Sequence, residues 1–311
     1  MDCSIIPTKY EGIFQVSTTD FFFPLVEDPY IQGKIACANV LSDMYALGLT
    51  HCDNMLMLLG ACKRMNATER EVVLSRMMQG FHDLATAAGT RVTGGQTVIN
   101  AWPLIGGVAM AAVKEEEFIR PENAVAGDVL VLTKPLGTQV AVNLKEWLSE
   151  RASGSSGAWD RVSDVISVEE AERAYYHAMH SMSRLNKTGA ELMHVHNAHA
   201  ATDVTGFGLL GHASNLAANQ KAKVDLELHL LPILRGMKAV DEKLGGMFSL
   251  VKGFSSETSG GLLVCLPSEE VAKAFCKELQ ERDGEEAWIV GRVVEGNNQA
   301  RIVEGTTIVE V

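Results

Sequence analysis

Glu115-Glu116-Glu117-Phe118-Ile119-Arg120-Pro121-Glu122-Asn123-Ala124-Val125-Ala126-Gly127-Asp128 is the stretch on which the chain divides. Charges, a proline and a Gly-Asp pair fall together there, and a fresh β-rich run, Val129 to Thr133, follows at once. This predicts two domains, 1–124 and 125–311. On the N-terminal side, Ile13 to Thr19 is β-rich and ends on Asp20, and Ile31 to Leu47 reads as a helix stopped by Gly48. Asn54 to Leu59 reads as a buried strand, and Thr68-x-x-Glu71 as a capping box opening a helix that runs to Gly89. A short strand, a Gly94-Gly95 loop and the apolar run from Pro103 to Val113 follow. On the other side, Ser153 to Gly157 (SGSSG) reads as a surface excursion, Val168 opens a long helix to about Met193, and a glycine-rich turn leads into mixed elements. No fixed-period repeat is present, so the pattern predicts two α+β domains.

The chain has 311 residues, 47% hydrophobic and 21% charged, enough apolar material for packed cores and too much for a disordered chain. Its longest apolar run, Ala101 to Val113, stops at Lys114 and is too short to cross a bilayer. No charged-then-apolar signal segment opens it. Cys3, Cys37, Cys52, Cys62, Cys265 and Cys276 form no CxxC, which fits reduced thiols in a cytoplasmic protein. The net charge is -12, divided as -5 before residue 125 and -7 after it. Neither part has the basic surplus that nucleic-acid backbones require. A polyphosphate bound here needs metal ions between it and the carboxylates.

Several familiar motifs lead elsewhere. Gly206-Phe207-Gly208-Leu209-Leu210-Gly211 satisfies G-x-G-x-x-G, but a dinucleotide site needs a buried strand just before it. The preceding Ala200 to Thr205 alternates polar residues and carries Asp203, which repels a bare pyrophosphate. His194, His196 and His199 do not follow zinc-ligand spacing and read as polar turn histidines. Neither a P-loop nor a G-x-S-x-G elbow is present.

Four aspartates remain: Asp2, Asp20, Asp43 and Asp203, each among small or apolar residues. Asn39 and Asp43 stand one turn apart on a helix, away from the stripe of Val40, Met44 and Leu47. Such a pair faces either a cleft or plain solvent. Mg²⁺ gives carboxylates far apart in sequence a reason to converge, because it takes hard oxygen ligands together with substrate phosphates. Thr93-Gly94-Gly95-Gln96-Thr97 suits either a backbone cradle for phosphate or a tight hairpin turn, and spacing does not choose between them.

In order along the chain, these segments resemble the selenophosphate synthetases, or selenide, water dikinases, in their eukaryotic form. The similarity runs through Met1-Asp2, Thr18-Thr19-Asp20, Gly33 to Asp43, Asp53 to Gly60, Thr93 to Thr97, Gly127 to Thr138, Asn197 to Asp203, Gly206 to His212 and Glu257 to Leu263. The resemblance implies a two-domain α+β fold like that of aminoimidazole ribonucleotide synthetase, with the first domains paired across a homodimer. It implies that ATP, selenide and water give selenophosphate, orthophosphate and AMP. By the same resemblance Asp2, Asp43 and Asp203 hold Mg²⁺, Asp20 lies at the nucleotide and metal site, and Met1 and Asp2 border the nucleotide. Gly94, Gly95, Gln96 and Thr97 form an adenine-nucleotide loop supplied across the dimer.

Family members carry a glycine-rich segment with Cys or selenocysteine followed by Lys ahead of the Met-Asp motif. The catalytic pair is therefore expected upstream of Met1, and none of it lies within these 311 residues. On that expectation the chain folds and dimerises but turns over weakly or not at all. The alternatives are another ATP-dependent kinase or synthetase of the same fold, or a dimeric nucleotide-binding regulator without catalysis.

Overall fold

The computed structural model describes residues 2–154 and 157–311. Met1, expected at the nucleotide, and Ser155 and Ser156 of the SGSSG excursion lie outside the described residues. In chain order the elements are β1 (Ser4–Pro7), β2 (Ile13–Phe22), α1 (Pro29–Ala46), β3 (Asn54–Cys62), α2 (Ala67–Ala87), β4 (Val92–Asn100) and β5 (Leu104–Lys114). Then come β6 (Val129–Leu132), α3 (Thr138–Ala152), α4 (Val168–Ser183), α5 (Lys187–Val195), β7 (Ala200–Asp203) and α6 (Gly208–Ala218). The last are β8 (Val224–Ile233), α7 (Met237–Lys243), β9 (Leu262–Leu266), α8 (Glu269–Asp283), β10 (Trp288–Glu295) and β11 (Ala300–Glu310). They form two compact units. The first runs to Arg120 and takes in Ser183–Val195; the second comprises Pro121–Met182 and His196–Val311.

The first unit is a five-stranded sheet in the order β1-β2-β5-β3-β4, with only β3 and β4 parallel. Helix α1 packs on β2 and β5, and α2 packs on α1 and β3. Asp28 starts α1 by accepting the Tyr30 and Ile31 N–H groups at 2.8 and 3.4 Å, with Pro29 in the first turn. From Ile35 to Ala46 every residue is buried, so the solvated face that would have explained Asn39 and Asp43 does not exist. The α1–α2 seam depends on two glycines. A Cβ on Gly33 would stand 2.1 Å from the Met77 carbonyl oxygen, and one on Gly80 would stand 1.9 Å from that of Tyr30.

Three local expectations change here. β2 does not end at Asp20; it runs on to Phe22, because Asp20 still pairs with Gly107 of β5. The α2 cap lies two residues earlier than the Thr68/Glu71 pattern. Asn66 Oδ1 accepts the Glu69 N–H and the Glu69 carboxylate accepts the Asn66 N–H, both at 2.9 Å. Gly94-Gly95 is neither loop nor hairpin but lies inside edge strand β4, paired in parallel with Leu56 and Met57. Gly95 is needed there: its φ is +146°, and a Cβ would meet the Met57 carbonyl oxygen at 1.9 Å.

The second unit is a six-stranded sheet in the order β11-β8-β10-β6-β9-β7, antiparallel except for β11 with β8. The long helix expected from Val168 is broken into α4 and α5 at residues 184–186. Asn186 turns its side chain away to donate to the Ser42 hydroxyl at 3.0 Å, while its carbonyl takes the Ala190 N–H and starts α5. β7, which alternating polarity marked as a poor strand, is buried at all four residues.

Candidate functional site

In the first unit the pleat of β2 and the turn of α1 bring four side chains together. Thr18 and Asp20 are two apart on a strand and Asn39 and Asp43 four apart on a helix, so each pair shares one face. The Asn39 amide donates to Asp20 Oδ2 at 3.0 Å, and the Thr18 hydroxyl donates to Asp43. The same hydroxyl lies 3.4 Å from the Asp2 backbone oxygen. Asp2, Asp20 and Asp43 thus belong to one neighbourhood, and Thr18 is the member that sequence reasoning missed. Burial holds the Asp20 carboxyl above its usual range, and the Asn39 hydrogen bond offsets part of that rise. A half-buried acid whose hydrogen-bond partner is a neutral amide is a group that a cation would stabilise.

Gly94, Gly95, Gln96 and Thr97 are not part of that neighbourhood within one chain. β4 stands three strand positions from β2, about 14 Å at the usual inter-strand spacing. The four residues instead border a cavity of about 350 Å³, with Met57 and Leu59 of β3 and Met78 and His82 of α2 among its walls. Its lining joins apolar side chains to the polar atoms of His82, Gln96 and Thr97, a composition that suits a planar heterocycle.

In the second unit Asp203 closes β7 with 1% of its surface exposed. A ligand atom of His212, on α6, lies within 4.8 Å of an Asp203 carboxylate oxygen. His212 Nε2 meets the Thr205 hydroxyl at 3.2 Å and receives the Phe207 N–H at 3.4 Å. Burial pushes His212 down to about 4, so its imidazole is neutral at pH 7. Sequence reasoning gave His212 no role, since one histidine on a short helix carries no spacing signal.

The decoys resolve physically. β7 is a buried strand after all, but it pairs antiparallel with β9 at the sheet edge, and α6 leads to β8 at the far side. β7 and β8 run in the same direction but with three strands between them, not as the neighbouring parallel pair of a dinucleotide-binding βαβ unit. The three histidines part company. His194 Nε2 lies 2.8 Å from the Gly48 carbonyl oxygen, His196 pairs with Glu278 at 2.9 Å and His199 with Asp128 at 2.8 Å. His194 closes the last turn of α5 and is not a turn residue. All six cysteines are free thiols, and no described helix is long and apolar enough to cross a membrane.

Residues 1–113 match the family described as AIR synthase related protein, N-terminal domain, and residues 125–304 match its C-terminal domain. The chain is 54% identical over 325 residues to selenide, water dikinase 3 of Danio rerio, covering 100% of this chain and 71% of that protein. It is 54% identical over 314 residues to selenide, water dikinase 2 of Homo sapiens, covering 100% and 68%. With the selenide, water dikinase of Dictyostelium discoideum the identity is 52%, covering 100% and 85%. Among solved structures, thiamine-monophosphate kinase from Stenotrophomonas maltophilia K279a superposes with a TM-score of 0.69 at 18% identity, covering 95% of this chain and 87% of that one. Hydrogenase maturation protein HypE in complex with ATP superposes with a TM-score of 0.67 at 17% identity, covering 93% and 81%. These two likenesses establish the fold: two α+β domains of the AIR synthase type.

Proposed function

The chain belongs to the selenide, water dikinase family, and from that premise we propose that it uses ATP and water to convert selenide to selenophosphate, releasing AMP and orthophosphate. The observation that carries this is identity above one half sustained along the whole chain. Asp2, Asp43 and Asp203 are assigned to Mg²⁺, with Asp20 at the nucleotide and metal site; hard carboxylate oxygens match what that ion prefers. Bound with the triphosphate, Mg²⁺ supplies positive charge against the phosphate oxygens and against a protein of net charge -12.

The side chains themselves orient and hold. Thr18 fixes one Asp43 oxygen by donating to it. Asn39 does the same for Asp20. His212, neutral and accepting at Nε2, steadies Thr205 and Phe207 just after Asp203 without adding charge. Gly94 to Thr97 form the adenine-nucleotide strand. Their distance from Asp20 within one chain favours a homodimer in which a second copy presents them. A cytoplasmic setting fits the six free thiols.

Phosphorus NMR of ATP incubated with the protein, Mg²⁺ and selenide tests the reaction. The expected products are selenide-dependent AMP, orthophosphate and a selenophosphate resonance, and their rate measures how much turnover these 311 residues carry by themselves. ADP as the nucleotide product would point to a simple kinase and overturn the proposal. Nucleotide affinity that is indifferent to a chelator would overturn the metal assignment.

A further inference from the structure

Residues 255–261, just before β9, are anchored on one side by two buried ionisable side chains. Glu257 has 3% of its surface exposed, and its carboxylate accepts the Gly137 N–H at 2.7 Å, the Thr138 N–H at 3.0 Å and the Thr138 hydroxyl. Lys134, with no exposed surface, donates Nζ to the Ser259 carbonyl at 2.8 Å. Both anchors lie on the β6–α3 turn, more than a hundred residues away in sequence. A helix N-terminus is ordinarily capped by its own Ser, Thr, Asp or Asn. Here the cap position is Gly137 at φ +105°, which makes no side-chain cap, and the acceptor comes from Glu257. Burying an ionisable carboxyl group costs more than a local cap, so holding the start of α3 does not by itself account for this choice.

On its other side the segment holds the residues that follow Asp203. The Glu257 N–H donates to the Thr205 carbonyl at 3.0 Å, and the Ser256 hydroxyl to the Gly206 carbonyl at 2.7 Å. The Val204 N–H donates to the Gly261 carbonyl at 2.9 Å. Gly260 packs so closely that a Cβ there would stand 2.1 Å from the Val204 oxygen. Thr205 in turn meets His212. Residues 204–206 thus take their position from a segment whose own position is set by Glu257.

We propose that Glu257 is a positioning residue for the Asp203–His212 end of the site, acting through residues 255–261 on the turn after β7. This rests on the metal assignment made above for Asp203. Groups that orient a ligand from behind it set metal affinity over about 10- to 100-fold.

The test is a Mn²⁺ titration followed by electron paramagnetic resonance, with a non-hydrolysable ATP analogue, on the full chain and on Glu257→Gln and Ser256→Ala. Circular dichroism checks that each variant is folded. Glu257→Gln is expected to bind Mn²⁺ at least tenfold more weakly. Ser256→Ala, a milder change that removes one hydroxyl at a half-buried position, is expected to weaken binding about threefold. Wild-type affinity in both folded variants overturns the inference while leaving the metal assignment intact. If Glu257→Gln does not fold, wild-type affinity in Ser256→Ala alone overturns it. Wild-type protein that binds no nucleotide-dependent Mn²⁺ sinks the metal assignment and this inference together.

Discussion

Changing Gly80 to alanine probes the seam on which the first unit is assembled. The new Cβ would lie 1.9 Å from the Tyr30 carbonyl oxygen and 2.8 Å from its carbon, where real Cβ contacts hardly ever fall below 3.0 Å. Those atoms are main chain and cannot rotate aside, so α1 and α2 must part by about 1 Å along their contact. On an open helix the substitution would gain about 1 kcal/mol from propensity. Overpacking between two helices whose facing residues are buried costs about 3 kcal/mol, so a net loss of roughly 2 kcal/mol is expected. For a unit of this size that lowers the melting temperature by about 5–10 °C. Gly33→Ala strikes the same seam from α1, at 2.1 Å from the Met77 oxygen. Once one methyl has separated the helices the second costs less, so the double variant is expected to lose clearly less than the sum. Thermal and urea denaturation of the two single variants and the double provide the measurement. A Gly80→Ala protein that melts at or above wild type would refute the account of the seam.

Two glycines of β4 make a sharper pair. Gly94→Ala meets only a Leu56 methyl at 3.6 Å and should leave stability within about 0.5 kcal/mol, whereas Gly95→Ala collides with the Met57 backbone and should cost about 3 kcal/mol; equal urea midpoints would contradict this. Asp20→Asn keeps an acceptor for Asn39 and removes an acid that burial holds above its ordinary range. Without metal it should melt at or slightly above wild type, yet bind Mn²⁺ with nucleotide at least tenfold more weakly; a destabilised variant of normal affinity would reverse the assignment. Glu257, pushed up to about 7 by burial, keeps a proton in the native state that the unfolded chain has released above its ordinary value of 4.5. Stability should therefore fall by roughly 3 kcal/mol as pH rises from about 4.5 to about 7, and Glu257→Gln should flatten that part of the curve. An identical pH slope in the variant would show that another group is responsible.

The two-domain α+β class was legible because amphipathic runs and turn residues alternate along the whole sequence. The α1 start was placed at Ile31, two residues late, because the Asp28-Pro29 capping signal was passed over in favour of the apolar run that follows it. The α2 cap was misplaced by two residues because Asn66-x-x-Glu69 and Thr68-x-x-Glu71 satisfy the same rule, and only packing separates them. The paired glycines misled for a deeper reason. Glycine marks tight turns, but it also marks close backbone approach, and β4 uses it for the second purpose against Met57. In the candidate site Asn39 and Asp43 stood out by helical spacing. Thr18 did not, because its role comes from lying opposite α1, a tertiary relation that no period encodes. β7 was hard to recognise because Thr202 and Asp203 are polar residues inside a wholly buried strand. Functional sites are where pattern and burial part company.

The return of Ser183–Val195 to the first unit decides how this protein can be cut. A fragment stopped at residue 124 leaves the Ser42 hydroxyl without Asn186, the Ala88 carbonyl without Lys187 and the Gly48 carbonyl without His194. The complementary fragment inherits nine helical residues whose Ala190, Leu192 and Met193 are buried in the intact chain. An expression boundary placed by one-dimensional inspection thus yields one piece with a gap and another with a sticky strip. A soluble N-terminal half calls for grafting the α5 segment back on through a flexible tether.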